Sequence, residues 1–435
     1  VVIIGADFCP SSFPPALRIR FFAQHLPEFG WEPIIVTTDS KYYENPVDPE
    51  NECLLPAGLE VIRTAALPAR LTRKVGFGDL GLRSLWHHWR ALSALCRQRR
   101  PDLIFIPVPP NPSIVLGRLL NARFGIPYVV DYIDPLASEY YWKLPRAQRP
   151  PKWPLVYGIV QVVEPFALRR VSHLVGVDKS YADEARQRCP WLSDDDVTGI
   201  PYGGEPGDFE YVRAHPRPGP NPIFDPNDGH VHMSYVGRGG TDMLPALRAV
   251  FQAVRLGLER APEVFSRVRL HFVGTSYAAK PRYEVLPLAR EMELEGVVDE
   301  HPARLPYLEA IRIMLNSHSL LAIGSESAHY TASKIFPYIL AERPMLAVFH
   351  ESSSVVKILS QTQAGEVVTF SQALPPQRHV AEISEHLEKI FRLPRNCKPA
   401  TRWVEFEPYT TRAMAGRLAE VLDNAVRGRT VMERS

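Results

Sequence analysis

The chain has 435 residues, of which 45% are hydrophobic and 23% are charged, and its formal net charge at pH 7 is +2. These values are ordinary for a globular protein with a large core, and the length predicts two or three domains. So small a net charge argues against a global attraction to nucleic acid, and no nucleic-acid partner is expected.

Cysteine usage and hydropathy indicate the compartment. The five cysteines are odd in number and widely spaced, which is typical of reduced thiols rather than of a disulfide framework or a metal knuckle. The chain opens directly on an apolar strand without a signal sequence, and no apolar run reaches the roughly 18–20 residues that cross a bilayer. We therefore expect a cytoplasmic protein, either soluble or peripheral at the inner face of the plasma membrane.

The N-terminal segment has the pattern of a strand, a helix and a second strand. Val1–Gly5 is apolar, a helix is predicted from about Leu17 to Phe29, and Pro33–Thr38 is the next apolar run. The loop Asp7–Pro15 therefore lies at the carboxyl edge of a parallel sheet, where ligands bind. It lacks the G-x-G-x-x-G spacing of a dinucleotide site, and a proline-stiffened connector is the alternative interpretation.

Acidic residues follow a later pair of predicted strands, Asp102–Pro107 and Pro127–Asp131. A carboxylate at the carboxyl end of a parallel strand can hydrogen-bond a hydroxyl substrate or accept its proton. Asp134 is the better candidate for this role, ahead of Asp131. Both residues also fit turn and helix-cap positions, because an Asp-Pro pair often starts a turn.

Residues 66–100 combine basic and aromatic side chains. Apolar residues recur there at helical spacing, with arginines beside them: Leu82, Leu85, Trp86, Trp89, Leu92 and Cys96. Such a helix either packs on its own domain or rests on an anionic membrane surface. Packing is favoured because any surface helix buries one face, although the aromatic and basic segment Tyr140–Tyr157 adds weight to the membrane interpretation.

A glycine-rich hinge at Gly199–Phe209, followed by a proline-rich stretch, predicts a domain boundary. The second half then repeats the strand-and-loop pattern. The strand His230–Val236 runs into Gly237-Arg238-Gly239-Gly240, where glycines allow close backbone approach and the arginine offers a two-pronged donor for phosphate oxygens. A tight turn with a surface arginine is the plainer alternative. The strand Val268–Val273 ends likewise in Gly274 and Thr275.

The segment Leu320–Phe349 is the most informative. It predicts a buried strand, a polar loop, a short helix opening at Ser333–Phe336 and a second strand. The helix entrance carries Thr331, Ser333 and Lys334 beside amide groups without intrahelical partners, which suits a phosphate. An ordinary capped helix with a solvated lysine is the alternative.

Taken in order, these elements resemble the GT-B glycosyltransferases over nearly the whole chain, and specifically the retaining family 4, or glycosyl transferases group 1. The similar segments are PALRIRFFAQHLPEFGWEPIIVTTD, GIPYVVDYIDPL, GIPYGGEPGDF, YVGRGG, LHFVGTS and SKIFPYILAERPMLAVF. The resemblance implies an α/β fold of two Rossmann-like domains facing each other across a cleft. Residues 1–205 form the acceptor-side domain, residues 206–409 form the donor domain, and a helix at about 410–435 returns to the first.

The resemblance also implies the chemistry. A nucleotide-diphosphate sugar of the UDP or GDP type is the co-substrate, with no cofactor and no metal, and a glycan or lipid-linked acceptor receives the sugar in cell-envelope or exopolysaccharide synthesis. Arg238, Lys334 and Asp134 are the candidate catalytic residues. The candidate nucleotide-sugar-binding residues are Gly237, Gly239, Gly274, Thr275, Arg304, Glu326, Thr331, Ala332 and Ser333. The acceptor-side candidates are Ser11, Ser12 and Asp131.

The chain departs from the family pattern around the short helix that opens at Ser333–Phe336, which corresponds to the donor helix of the family. The two family glutamates are replaced by His329 and Pro337, with Glu326 near enough to substitute for the first. The glycine that usually follows the helix is Glu342, which weakens the expected left-handed cap. The alternative function is therefore a non-catalytic relative that binds a nucleotide or acts as a scaffold. An epimerase of the same fold is a further alternative.

Overall fold

The computed structural model describes residues 1–44, 47–75, 78–136, 153–217, 219, 221–276, 278, 280–326 and 332–432. The chain divides into two compact units. The first is Val1–Tyr202 together with the chain from Thr411 onward, and the second is Gly203–Thr410. Among the predicted site residues, Thr331 lies outside the described residues, as do His329 and residues 137–152.

The first unit contains a parallel sheet. Its strands are β1 (Val2–Ile4), β2 (Ile34–Thr38), β3 (Glu60–Thr64), β4 (Ile104–Val108), β5 (Tyr128–Tyr132), β6 (His173–Gly176) and β7 (Val197–Gly199). They are arranged in the order β3-β2-β1-β4-β5-β6-β7, so the chain crosses over in opposite directions on either side of the β1/β4 pair. That reversal is the topological switch point of a doubly wound sheet.

Helices cover both faces of this sheet. They are α1 (Pro14–His25), α2 (Ala69–Thr72), α3 (Leu80–Arg99), α4 (Ile114–Phe124), α5 (Trp153–Leu168), α6 (Lys179–Arg188) and, from the end of the chain, α16 (Thr411–Met432). Alternate strand residues pack on opposite sides, Ile3 and Phe105 on one and Ile4 and Ile106 on the other. The side with Ile3 also buries Leu418 of α16. The C-terminal helix therefore belongs to the first unit, as predicted.

The second unit repeats the arrangement. Its strands are β8 (Val231–Val236), β9 (Val268–Val273), β10 (Val298–His301), β11 (Ser319–Ile323), β12 (Met345–His350) and β13 (Glu366–Phe370), all parallel and in the order β10-β9-β8-β11-β12-β13. The helices are α7 (Pro206–Ala214), α8 (Leu244–Arg260), α9 (Pro262–Phe265), α10 (Leu286–Glu291), α11 (Tyr307–Asn316), α12 (Ile335–Leu340), α13 (Ser354–Thr362), α14 (Val380–Phe391) and α15 (Trp403–Phe406). The predicted two-domain α/β fold is confirmed.

The basic and aromatic helix is α3. Asp79 caps it by accepting a hydrogen bond of 3.0 Å from the Leu82 amide, and Leu92 and Cys96 are buried against the sheet. The packing interpretation therefore holds for this face, although Trp86 remains 63% exposed. No helix in the described part of the chain is long and apolar enough to cross a membrane.

The end of α12 corrects the expectation that Glu342 weakens the left-handed cap of this helix. Glu342 follows α12 with φ of 54°, so the left-handed turn forms although glycine is absent. Its carboxylate accepts hydrogen bonds from Arg213 at 2.8 Å and from Lys398 at 2.7 Å. Two hydrogen-bonded ion pairs, which we call tethers, therefore hold Glu342 in a left-handed conformation that any residue with a Cβ atom disfavours.

We expect Glu342→Gly to be more stable than Glu342→Ala by about 1 kcal/mol, because both lose the tethers but only glycine accepts the left-handed conformation without strain. Chemical denaturation of the two variants measures the difference. The matched control is Glu388 on α14, whose side chain pairs with Arg392. There the order reverses, because glycine destabilises a helix interior by about 1 kcal/mol relative to alanine. The same order at both positions would contradict the strain at Glu342.

Candidate functional site

The switch point of the second sheet lies between β8 and β11, whose crossovers run in opposite directions. The loop Gly237–Gly240 leaves the carboxyl end of β8, and the loop Gly324–Glu326 leaves that of β11. The two loops meet, because the Glu326 amide donates a hydrogen bond of 3.0 Å to the carbonyl of Asp242. Ligands of open α/β sheets bind in this position, so the topology alone marks it as a candidate site.

Tyr235, near the end of β8, connects the two predicted cations. Its hydroxyl donates to the carbonyl oxygen of Arg238 at 2.5 Å and accepts a hydrogen bond from the ammonium of Lys334. The same ammonium lies 4.1 Å from the centroid of the tyrosine ring, within the range of a cation–π contact. Arg238 and Lys334 therefore belong to one cluster, although 96 positions separate them in the sequence.

A second tyrosine attaches α12 to the same strand. The hydroxyl of Tyr338 accepts a hydrogen bond of 2.6 Å from the Val236 amide and donates one of 3.1 Å to the Val236 carbonyl. These bonds hold the helix beside the glycine-rich loop. Lys334 directly precedes α12, so the hydrogen bonds of Tyr338 also fix the position of the Lys334 backbone.

Gly237 makes room for the lysine. A Cβ atom at this position would lie 3.3 Å from both Cε and Nζ of Lys334, and φ of 149° adds backbone strain for any other residue. At Gly240 a Cβ would collide with the guanidinium of Arg238 and with the carboxylate of Asp242. Backbone strain therefore favours glycine at position 237, and a Cβ at position 240 would displace the Arg238 and Asp242 side chains from their present positions.

Arg238 forms a bidentate ion pair with Asp242, with N–O distances of 3.1 and 3.0 Å. Each side chain is 34% exposed. Desolvation pushes the pKa of Asp242 upward, but hydrogen bonds from Arg238 and Ser325 outweigh it, so the pKa lies below its usual value. The guanidinium of Arg238 is therefore paired with a carboxylate four residues further along the chain.

Burial dominates the electrostatics of Lys334. Desolvation lowers its pKa to about 7, repulsion from Arg238 acts in the same direction, and Asp242 offsets part of the shift. The side chain retains partial exposure. A lysine whose ammonium is half populated at neutral pH responds strongly to a nearby anion, because the anion favours the charged form.

The remaining donor-side candidates lie at the same edge of the sheet but differ in exposure. Gly274 has φ of 72°, and Thr275 is buried and donates a hydrogen bond of 2.5 Å to Glu300. Ala332 is buried, whereas the other three candidates, Arg304, Glu326 and Ser333, are exposed. Nucleotide contacts of these residues remain predictions.

The acceptor-side candidates lie in the first unit. Asp131 at the end of β5 is fully buried and forms a bidentate ion pair with Arg18, at 2.6 and 2.9 Å. Arg18 also donates to the carbonyl of Ile200 at 2.8 Å. This pair joins α1 to the carboxyl ends of the strands, so Asp131 has a structural role. Any contact between Asp131 and an acceptor remains a prediction.

Ser11 and Ser12 complete the acceptor-side set, and the catalytic candidate Asp134 lies in the same unit. Ser11 is buried and donates a hydrogen bond of 2.6 Å to the carboxylate of Asp7, and Ser12 is also buried. Asp134 is exposed, and desolvation by the surrounding chain raises its pKa. Burial also raises the pKa of Asp7, against the opposing hydrogen bond from Ser11. Acidic groups of this kind are suited to proton transfer, and the catalytic assignment of Asp134 remains a prediction.

Sequence reasoning missed several residues of this geometry: Asp7, Tyr235, Asp242 and Tyr338. The tyrosines looked like ordinary strand and helix residues, since no local pattern shows that their hydroxyls meet a lysine or a strand end. For Asp242 a signal was present, because it lies four residues after Arg238, where two side chains pair readily within one turn.

Known proteins resemble this chain in sequence pattern and in fold. Residues 15–203 match the model of the glycosyl transferase 4-like domain. This match lies almost entirely within the first unit, which therefore resembles a glycosyl transferase 4-like domain. Among curated proteins, no sequence match was found.

Solved glycosyltransferase structures show the same fold over the whole chain. HepE from Anabaena, in complex with UDP and glucose, is 13% identical with a TM-score of 0.57, and the match covers 97% of this chain and 99% of HepE. The UDP-forming trehalose-phosphate synthase of Burkholderia xenovorans is 12% identical with a TM-score of 0.57, covering 97% and 99%. WaaG, a glycosyltransferase involved in lipopolysaccharide biosynthesis, is 11% identical with a TM-score of 0.51, covering 99% and 98%. The GT-B glycosyltransferase fold is thereby confirmed.

The lowered pKa of Lys334 predicts a pH-dependent stability difference. We expect Lys334→Met to stabilise the ligand-free protein near pH 7, and the gain to shrink by about 1–2 kcal/mol between pH 7 and pH 9. Over this range the folded chain loses the lysine proton, which it holds about half of the time at pH 7, while the unfolded chain keeps it. Wild-type stability therefore rises with pH through this residue, while the methionine variant lacks the dependence.

Chemical denaturation of both proteins at several pH values measures this effect. The control is Lys389→Met, which removes an exposed lysine paired with Glu366 in the same unit. Its stability difference should stay constant over the same pH range. A constant difference for Lys334→Met as well would show that its ammonium is not desolvated.

Proposed function

We propose that this glycosyltransferase moves a sugar from a UDP- or GDP-sugar to a glycan or lipid-linked acceptor, with retention of configuration and without a divalent ion. The observation that carries the proposal is the convergence of Arg238 and Lys334 at the switch point of the second sheet. We also propose that the reaction serves cell-envelope or exopolysaccharide synthesis. The protein is then cytoplasmic, or peripheral at the inner face of the plasma membrane.

The chemistry requires stabilisation of the leaving group. A nucleoside diphosphate gains negative charge as its bond to the sugar breaks, and fixed cations can stabilise that charge without a metal ion. Arg238 supplies a planar guanidinium suited to two phosphate oxygens, and Lys334 supplies a compact ammonium. Diphosphate binding would also raise the pKa of Lys334 from about 7, so that the ammonium is fully formed when the donor is present.

The neighbouring structures support the donor class. HepE has been determined with UDP-glucose and with UDP. The involvement of WaaG in lipopolysaccharide biosynthesis supports the proposed role of this chain in envelope polysaccharide synthesis. For this chain, the exposed Glu326 beside the Arg238 loop is the carboxylate that we assign to the sugar, in place of the family residue replaced by His329.

A second candidate function is a non-catalytic, nucleotide-binding or scaffold relative. The observation in its favour is the Arg238–Asp242 pair, because Asp242 neutralises much of the charge that a diphosphate would meet. Pro337, within α12, adds to it by replacing the second family glutamate. This candidate predicts UDP or GDP binding without sugar transfer.

We expect opposite effects from the two members of the Arg238–Asp242 pair. Arg238→Ala should raise the Kd for UDP or GDP roughly 10–100-fold, the size of a lost charge-assisted hydrogen bond. Asp242→Asn should lower it by roughly 3–10-fold, because asparagine keeps an acceptor oxygen but removes a negative charge facing the phosphates. Calorimetric titration with each nucleotide, together with release of free UDP or GDP from a panel of sugar donors, measures binding and turnover.

The matched control is Arg248→Ala, because Arg248 forms an equally bidentate pair with Glu291, at 2.7 and 3.1 Å, on the surface of the same unit. Nucleotide affinity should not change in this variant. If Arg238→Ala also leaves the affinity unchanged, the phosphate site is wrong. Binding without turnover for any donor would favour the non-catalytic candidate.

The membrane proposal rests on α5. Leu155, Ile159, Val162 and Phe166 follow one another at helical spacing and are 66%, 53%, 72% and 50% exposed. Exposed Arg169 and Arg170 come directly after the helix. An apolar stripe with arginines at its end fits the interface of an anionic bilayer, where the stripe enters the acyl boundary and the arginines contact lipid phosphates.

We expect the protein to co-sediment with phosphatidylserine-containing vesicles, and the double variant Leu155→Glu/Val162→Glu to lose roughly 10–100-fold in partitioning through lost apolar burial. Neutral vesicles should bind less, and salt should weaken the binding. The control is Val404→Glu, because Val404 is 86% exposed in the other unit. Equal partitioning of the double variant and the control would refute the assignment of α5.

A further inference from the structure

A row of histidines crosses one face of the second sheet, on three neighbouring strands. His232 lies on β8, His271 on β9, and Asp299 and His301 on β10. Asp299 is the register partner of His271, and residues two apart on a strand share a face, so Asp299 and His301 both point to the side of His271. The opposite face carries the apolar core, with Leu270, Phe272 and Val298 among its residues.

Three of these side chains bring ligand atoms together. The Nε2 atom of His301 lies 2.8 Å from Oδ2 of Asp299, and the Nδ1 atom of His271 lies 4.0 Å from the same oxygen. One ligand atom from each residue lies within 4.8 Å of the others. His271 is only 5% exposed, and its Nδ1 atom has no hydrogen-bond partner. A buried, unpartnered nitrogen that faces a carboxylate and a second imidazole needs an explanation.

The tautomer of His271 follows from the residues behind it. Asp228 lies 3.0 Å from Nε2 of His232, and Nδ1 of His232 lies 2.9 Å from Nε2 of His271. Burial opposes ionisation of Asp228, but hydrogen bonds from the His230 amide and from His232 lower its pKa to about 2, so the carboxylate is an acceptor. His232 must then donate through Nε2 and, when neutral, accept through Nδ1. His271 therefore donates through Nε2, and its Nδ1 carries a free lone pair.

This relay is the arrangement that metal-binding histidines require. A ligating imidazole donates its other N–H to a carboxylate or other acceptor, which fixes the tautomer and orients the lone pair. Here that acceptor is His232, which Asp228 holds in turn. Phe224 stacks on both imidazoles, with centroid distances of 4.4 Å to His232 and 4.7 Å to His271, and so restricts their rotation.

We propose that His271 Nδ1, His301 Nε2 and the Asp299 carboxylate bind a divalent transition-metal ion, with Zn²⁺ as the best fit. Two imidazoles and one carboxylate are ligands that Zn²⁺ accepts, and a tetrahedral site leaves the fourth position to water or an incoming group. Ligand atoms about 2.0–2.1 Å from a tetrahedral ion lie roughly 3.3 Å apart. The distances of 2.8 and 4.0 Å bracket this value, and all three ligand atoms lie within 4.8 Å of one another.

The exposure of the ligands gives the ion an entry path. Asp299 is 55% exposed and His301 is 33% exposed, whereas His271 closes the inner side. The three ligands differ from the residues assigned to the diphosphate. The metal site is therefore independent of the proposed transfer reaction and does not alter its metal-free chemistry.

The test is metal binding to the full chain after treatment with a chelator. Titration with Zn²⁺ against a chromophoric chelator should show one ion per chain with a micromolar or tighter Kd, and Co²⁺ should give the intense visible absorption of a tetrahedral or five-coordinate ion. We expect His301→Ala and Asp299→Asn each to weaken the affinity at least about 10-fold. Both residues are on the surface, so these variants should fold.

The relay has its own test. Asp228→Asn should weaken Zn²⁺ binding about 10-fold while leaving the Co²⁺ spectrum similar in shape, because Asp228 positions the ligand through His232 and does not touch the ion. The control is His379→Ala, which removes a surface histidine paired with Glu382 at 2.8 Å in the same unit and should leave Zn²⁺ affinity unchanged. Failure to bind one ion per chain, or unchanged binding in both His301→Ala and Asp299→Asn, would overturn the proposal.

Discussion

The buried ammonium of Lys334 is the constraint on which the structure at the switch point of the second sheet depends. A lysine in this environment is costly unless its charge has neighbours to interact with. The structure provides the hydroxyl and ring face of Tyr235 and a glycine beneath the side chain. Because Tyr235 also binds the carbonyl of Arg238, the position of the lysine and the shape of the glycine-rich loop are set together.

The first unit also buries charged side chains, but there a cation and a carboxylate compensate each other. Arg18 and Asp131 are both buried, and each satisfies the other in a bidentate pair. A buried pair of this kind adds little net stability, but removing one partner leaves an uncompensated charge and is strongly destabilising. The pair therefore enforces a single arrangement of α1 against β5. Lys334 has no comparable carboxylate at contact distance among the described residues, so it remains responsive to a ligand.

Sequence patterns predicted the fold well because both sheets are built from short, continuous apolar strands separated by helices of clear periodicity. The loops that follow β8 and β11 were also located correctly, since small and polar residues after a buried strand mark a carboxyl edge. The partners of the charged side chains were not predicted. Whether Arg238 faces a phosphate or Asp242 depends on rotamers, and the approach of Tyr235 to Lys334 depends on packing over 99 positions.

The histidine row shows a second limit of sequence reasoning. His271 and His301 are each far from any other histidine in the sequence, and an isolated histidine is typical of a satisfied core residue. Only the parallel register between β9 and β10 brings His271 opposite Asp299, and only the order of the strands brings His232 beside them. Periodicity predicts the face on which a residue lies, but neighbours from distant strands require the topology.

Charge balance at the switch point of the ligand-free second unit connects the Arg238–Asp242 ion pair with the lowered pKa of Lys334. Asp242 pairs with Arg238, and desolvation leaves Lys334 only partly charged near neutral pH, so the ligand-free protein holds little net charge at the switch point. The diphosphate that we propose to bind here would change both terms, because it would compete for the guanidinium and favour the protonated lysine. Part of the binding free energy would then be used to create the charged state of the site. Such a site would discriminate against weakly charged ligands, which cannot displace Asp242 or protonate the lysine, more strongly than two permanently exposed cations would.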